Sequence, residues 1–169
     1  MEIADLQQTE LFTSGTGDYH TYRIPALAVT VAGTILAFCE GRRDSSSDSG
    51  QIDLLLRRSE DGGCTWGDVQ VIVSMPDMTC GNPCPVVDRA TGRILLPFCK
   101  NFASGPEGLI TEGKAPRTVW LTQSQDDGFT WAEPHEITAT TKDPSWTWYA
   151  TGPTHGIQLA SGRLVVPCD

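Results

Sequence analysis

The chain has 169 residues, 21 of them acidic and 12 basic, for a formal net charge of −9. That balance argues against a nucleic-acid partner, because tracking phosphates takes a basic face. No apolar run reaches the roughly 18 residues of a membrane span, and the length suits about one domain. Met1–Asp5 has no basic region leading into an apolar core, so no signal peptide is visible. The compartment stays open between secreted, periplasmic and cytoplasmic.

Apolar runs are short, rich in Val, Ile and Leu, and punctuated by Gly and Pro, with no long helical periodicity. This predicts an all-β chain. Strands are predicted at Ile24–Thr30, Thr34–Glu40, Ile52–Arg58, Val69–Val73, Pro85–Asp88, Arg93–Cys99, Thr118–Ser124, Glu136–Thr138, Gly156–Leu159 and Arg163–Pro167. The first two are joined by Ala32-Gly33-Thr34, a hairpin signal. Arg23 opens the first strand, and Arg42 and Asp48 follow the second. A hairpin brings the start of one strand to the end of the next. Two guanidinium groups and one carboxylate are therefore expected to meet at one end, an arrangement suited to an anionic ligand with a bond that needs a proton.

An internal repeat decides the architecture. Ser59-Glu60-Asp61-Gly62-Gly63-Cys64-Thr65-Trp66 recurs as Ser124-Gln125-Asp126-Asp127-Gly128-Phe129-Thr130-Trp131. In each copy Asp is expected to accept backbone N–H bonds, Gly to take a positive φ, and Trp to pack between strands. Asp61 and Asp126 are thus structural. The hairpin segments Gly33–Cys39, Gly92–Cys99 and Gly162–Cys168 resemble one another as well. Four-stranded units repeated in this way are propeller blades. The expected layout is one propeller domain over 1–169, with blade one at about 20–75, blade two at about 80–140 and the start of a third at about 145–169. Such a partial ring leaves open edges, so the chain is expected to be the N-terminal part of a longer propeller, or to be completed by a second segment.

Six cysteines are present. Cys39, Cys99 and Cys168 hold nearly equivalent places in successive units, too far apart by rotation for a disulfide. Cys80 and Cys84 share a loop and form the more plausible pair, although free thiols are favoured. Cys80-x-x-x-Cys84 could be half a zinc site, but no second pair completes it, so no metal is predicted.

These residues together resemble the sialidase (neuraminidase) family of exo-glycosidases. Tyr22-Arg23-Ile24-Pro25 is similar to its Arg-Ile-Pro signature, and the two S-x-D-x-G-x-T-W turns to its Asp boxes. Glu40–Arg43 with Ser45–Asp48, Gly81–Pro85 and Ala150–Leu159 are similar to further family segments. The resemblance implies a six-bladed sialidase-type propeller, of which about two and a half blades are present. It implies an exo-α-sialidase that releases terminal sialic acid from sialylated glycans with retention, without cofactor. The family uses three arginines on the sialic acid carboxylate, an Asp acid/base, and a Tyr nucleophile assisted by Glu. Carried over, Arg23 is the first carboxylate-binding arginine, and Arg42 is the extra arginine near the sugar's 4-hydroxyl. Asp48 is the acid/base, and Asn82 lies near the N-acetyl pocket. The nucleophile and the remaining arginines would fall beyond Asp169, so the chain alone is expected to be inactive.

Rival readings stand beside these. Asp44 is the alternative to Asp48, and is expected to pair with Arg43 instead. Arg43, Arg57 and Arg58 read as solvated or structural. Glu107 or Glu112, in the Gly-rich loop after Cys99, is expected to reach the substrate, with Glu112 preferred. Trp146, Trp148 and Tyr149 form either a sugar-stacking shelf or, for at least two of them, core. A non-catalytic sialic-acid-binding propeller, a propeller with another role and a trans-sialidase are the functional alternatives.

Overall fold

The structure is a computed structural model and describes residues 8–169. Blade one is an antiparallel meander of β1 (Thr21–Val29), β2 (Ile35–Arg42), β3 (Ile52–Ser59) and β4 (Gln70–Val73). A short strand β5 (Met78–Gly81) follows. A second meander runs through β6 (Val86–Val87), β7 (Ile94–Phe102), β8 (Arg117–Ser124) and β9 (His135–Glu136). A short helix α1 (Glu107–Thr111) lies between β7 and β8, a second, α2 (Thr138–Thr141), follows β9, and β10 (Ile157–Gln158) pairs with β11 (Leu164–Val165) in a separate hairpin. The chain is therefore an all-β partial propeller.

Three features depart from the pattern expected of the sequence. The strand β5 was not foreseen, because Met78-Thr79-Cys80-Gly81 is only four residues long and holds no Val, Ile or Leu. It joins the two meanders into one sheet, antiparallel to β7 and parallel to β3 through Ile52 and Thr79. The strand expected over Glu136–Thr138 stops at Glu136, because Thr138 opens α2. The two helices are one turn each, too short to register as a 3.6-residue pattern.

Packing follows the two-residue period of the strands. Leu36 and Phe38 on β2, Leu54 and Leu56 on β3, and Ile94, Leu96 and Phe98 on β7 fill the space between the meanders, all 0–1 % exposed. Each buried side chain of this size contributes roughly 1.5–3 kcal/mol. Leu55 and Cys39 face the other way and pack on Tyr19, so β2 and β3 are buried on both faces. Continuing the β2 alternation past Phe38 places Glu40 and then Arg42 on the same face, at the end where the apolar packing stops.

Both Asp-box turns are stapled as expected. Asp61 accepts from the Thr65 backbone N–H and hydroxyl at 2.8 and 2.6 Å and from Ser59 Oγ at 2.8 Å. Asp126 repeats this with Thr130 and Ser124. The second turn also grips blade one. The Thr34 hydroxyl donates to the Asp127 carboxylate, Arg58 Nε donates to the Asp127 carbonyl at 3.0 Å, and the Arg58 guanidinium lies 3.4 Å above the Phe129 ring. Arg58 is thus structural. All six cysteines are free thiols; Cys80 lies on β5, and Cys84 is buried between β5 and β6. Apolar side chains stay exposed at Leu27, Val29, Val31, Ile157 and Leu159, and Leu27, Val29 and Ile157 line one cleft together with Val86 and Val87.

Candidate functional site

The end of β1, β2 and β3 where the apolar core gives way carries the charged cluster. Arg23 sits at an irregularity in the β1–β2 ladder, between Arg23 and Ala26. Pro25 offers no N–H there, and Ile24 has a φ of 54°, a costly conformation for a β-branched residue. Arg23 is the last regular partner before the break, opposite Glu40, and its guanidinium meets Asp48 Oδ1 at 2.9 Å. Arg42 donates to the same Asp48 oxygen at 2.7 Å. The three residues expected to converge therefore do so.

Arg42 is held from below by Glu40, two residues earlier on the same strand face. Glu40 Oε2 accepts from Arg42 Nε at 3.0 Å and from its terminal nitrogen at 2.7 Å, and both side chains are buried. Arg42 also donates to the Ser46 carbonyl at 2.7 Å, tying down the serine loop that carries Asp48. Ser45 and Ser47 hydroxyls accept backbone N–H groups within that loop. Asp48 thus stands on a braced loop with its side chain 68 % exposed, above an arginine that is 3 % exposed.

The cluster continues into blade two. Glu40 Oε1 accepts the Asn82 backbone N–H at 2.9 Å, with Asn82 at φ 57°. A Cβ on the neighbouring Gly81 would stand 2.7 Å from that same oxygen, so only glycine fits there. Asn82 Oδ1 accepts from Arg117 at 2.6 Å. Arg117 further donates to Asn101 Oδ1 at 2.6 Å and to the Tyr149 carbonyl at 2.7 Å, with Trp148 stacked 4.4 Å from its guanidinium. One hydrogen-bonded line therefore runs from Arg23 through Asp48, Arg42, Glu40 and Asn82 to Arg117.

Other candidates fall elsewhere. Glu112 caps α1, is 58 % exposed and pairs with Lys114 at 2.6 Å; it bonds to none of Arg23, Arg42, Asp48 or Asn82. Asp44 does not pair with Arg43. The strand ends at Arg42, and Arg43, in the bend that follows, donates instead to Asp53 at 3.0 and 2.6 Å. Asp53 is fully buried and also accepts from the Tyr19 hydroxyl at 2.9 Å. Burial, and then the bond to Asp53, pushes the Tyr19 hydroxyl up beyond the ordinary phenol range. This second cluster fastens the N-terminal segment to blade one. Of the aromatic trio, Tyr149 is core beside Cys99 and Val119, Trp148 is half-buried on Arg117, and Trp146 is 54 % exposed.

Sequence reasoning missed Glu40, Arg117 and Asn101. The available signal for Glu40 was its two-residue spacing from Arg42, which puts both on one strand face. Arg117 precedes Val119 by the same step on β8.

Chemically, Arg23 and Asp48 form an exposed pair, which contributes little and yields readily to a competing anion. Arg42 and Glu40 form a buried pair that stays fixed. A carboxylate entering the mouth can therefore take the Arg23 fork bidentately without unseating Arg42, with the exposed Asp48 carboxylate beside it.

A family model described as a BNR repeat-like domain matches residues 33–169. An exo-alpha-sialidase of Aspergillus fumigatus is 36 % identical over 185 aligned positions, covering 97 % of this chain and 45 % of that protein. Sialidase-3 of Bos taurus is 38 % identical over 156, covering 87 % and 36 %. This chain thus spans less than half the length of these relatives. Among solved structures, the Hadza microbial sialidase Hz136 superposes with a TM-score of 0.82 at 32 % identity, over 89 % of this chain and 32 % of that one. A Trypanosoma rangeli sialidase in complex with sialic acid shares the fold at a TM-score of 0.72 and 19 % identity, over 89 % and 26 %.

Proposed function

The chain belongs to the family of BNR repeat-like domains, and from that premise we propose that it supplies the acid/base half of a retaining exo-α-sialidase. The full-length protein would hydrolyse terminal sialic acid from glycoconjugates. Arg23 grips the sugar carboxylate through its planar fork. Arg42, locked by Glu40, contacts the sugar ring and sets the height of Asp48. Asp48 protonates the leaving oxygen and then activates water, a role contributing about 10²- to 10⁴-fold in rate. Asn82, steered by Glu40 and Arg117, lines the N-acyl side. Glu112, placed outside this cluster, is assigned no part in the step. A Tyr nucleophile with its Glu, and the other two carboxylate-binding arginines, lie outside this chain. The remaining blades would bring them, and would cover apolar side chains left exposed here, such as Val31 and Leu159.

The observation that carries the reading is the shared oxygen. Asp48 Oδ1 accepts from Arg23 at 2.9 Å and from Arg42 at 2.7 Å. An exposed carboxylate therefore touches both the cation a substrate would capture and the cation the protein keeps.

The test is release of free sialic acid from a sialylated glycan by the full-length protein, with the product anomer followed by proton NMR. The α-anomer as first product is expected. Binding without release would point to a sialic-acid-recognising propeller, and a β-anomer first would contradict retention.

A further inference from the structure

A second cleft, of about 490 Å³, opens between the segment Gly113–Thr118 and the link Lys142–Thr147. It lies at the same end of the blades as Asp48, because both flank the charged line: Arg117 lines the cleft and bonds Asn82. Its walls include Lys114, Arg117, Lys142 and Trp146, a concentration of cations in a chain of net charge −9.

Two of these cations lack counter-charges. Lys114 is neutralised by Glu112. Arg117 is 6 % exposed, and its bonds go to neutral acceptors alone, on Tyr149, Asn101 and Asn82. Lys142 donates to the carbonyls of Arg117 and Thr147 at 3.0 and 2.9 Å. Among the described residues neither Arg117 nor Lys142 forms an ion pair. Asp143, next in sequence to Lys142, is engaged by Ser145. Burial, chiefly, lowers the affinity of Lys142 for its proton. Neighbouring cations without a counter-charge repel one another, and an anion between them relieves that cost. Beside them Trp146, 54 % exposed, lies nearly parallel to Tyr149 at 6.3 Å and 18°. Its outer face is a flat apolar wall of the kind a pyranose ring packs on.

We propose that this cleft is a second glycan subsite, which takes an acidic sugar unit by its carboxylate or sulfate while the sialic acid occupies the Arg23–Arg42 mouth. The proposal rests on the sialidase reading and narrows its substrate class to glycans carrying a second anionic group near the cleaved residue.

The experiment compares kcat/KM of the full-length protein on three sialosides. One has a neutral core, one carries a second sialic acid, and one carries a sulfate on the core. The doubly acidic glycans are expected to be preferred, and raised ionic strength to erode the preference. Lys142→Gln and Trp146→Ala should each cut that preference about three- to tenfold, through KM, and leave the neutral-core sialoside unchanged. A gain with the sulfate as well as the second sialic acid marks a site for anions in general; a gain with the sialic acid alone marks one for carboxylates. Equal loss on all three substrates, or no preference in the wild type, overturns the subsite. No turnover of any sialoside overturns the sialidase reading instead. Equilibrium titration with the same glycans then decides the cleft, with equal affinities in wild type and Lys142→Gln counting against it.

Discussion

Blades one and two each bury an arginine at the same end of the fold, and the two are treated oppositely. Arg42 is fixed by carboxylates, Glu40 beneath and Asp48 above. Arg117 is fixed as firmly, by three bonds of 2.6–2.7 Å, yet to neutral oxygens alone. Geometry and charge are therefore separable. A guanidinium can be locked in place by carbonyls while its charge stays unspent. In blade one the charge is matched by the carboxylates of Glu40 and Asp48; in blade two it has no carboxylate partner among the described residues.

The largest stability effect is expected where a charge is orphaned. Arg42→Met leaves the Glu40 carboxylate buried without its partner and should cost about 3–5 kcal/mol in urea unfolding. Arg117→Met strands only neutral acceptors and should cost about 1–3 kcal/mol. Equal costs would break the contrast between the blades. Adding Glu40→Gln to Arg42→Met sharpens it, because most of the loss should then return.

A smaller effect is expected at the grip between the blades. Thr34→Val removes the hydroxyl donated to Asp127 while keeping the shape of the side chain, and should cost about 1 kcal/mol. No change in the unfolding midpoint would show that Arg58 on Phe129 holds the blades together without it.

The smallest effect is a pH dependence. The Thr65 hydroxyl first, then backbone N–H bonds, holds the Asp61 carboxyl down to about 2, and Thr130 does the same for Asp126. Both folded-state values lie below the unfolded one. Their contribution is therefore complete above the ordinary carboxylate range and is lost as pH falls from about 4 to about 2. Acid unfolding should be visibly shallower over that window in Asp61→Asn. An unaltered profile would assign the acid sensitivity to other carboxylates.

What could be read from the sequence follows the range of the interactions. The strands were legible because short runs of Val, Ile and Leu are set off by Gly and Pro, and the meeting of Arg23, Arg42 and Asp48 because a hairpin returns its ends to one place. Both are local consequences. Glu40 was not legible, because a Glu at a strand end is ordinarily solvated, and its burial depends on the Asn82 backbone, 42 residues on. Asp53 was hidden inside an apolar strand for the same reason: its partners Tyr19 and Arg43 come from a different segment. Asp44 misled through adjacency, since Arg43 is taken instead by Asp53 on the next strand. Glu112 was placed by analogy between the two hairpin loops. The second loop, however, folds a helical turn that turns Glu112 to Lys114.

The central claim is that an exposed carboxylate, braced by two arginines, moves the proton when a sialoside is cleaved. Hydrolysis of a sialylated glycan by the full-length Asp48→Asn protein tests it most directly. Asp48 is exposed, so folding should be nearly untouched while kcat falls about 10²- to 10⁴-fold; wild-type turnover in a correctly folded Asp48→Asn variant would contradict the account.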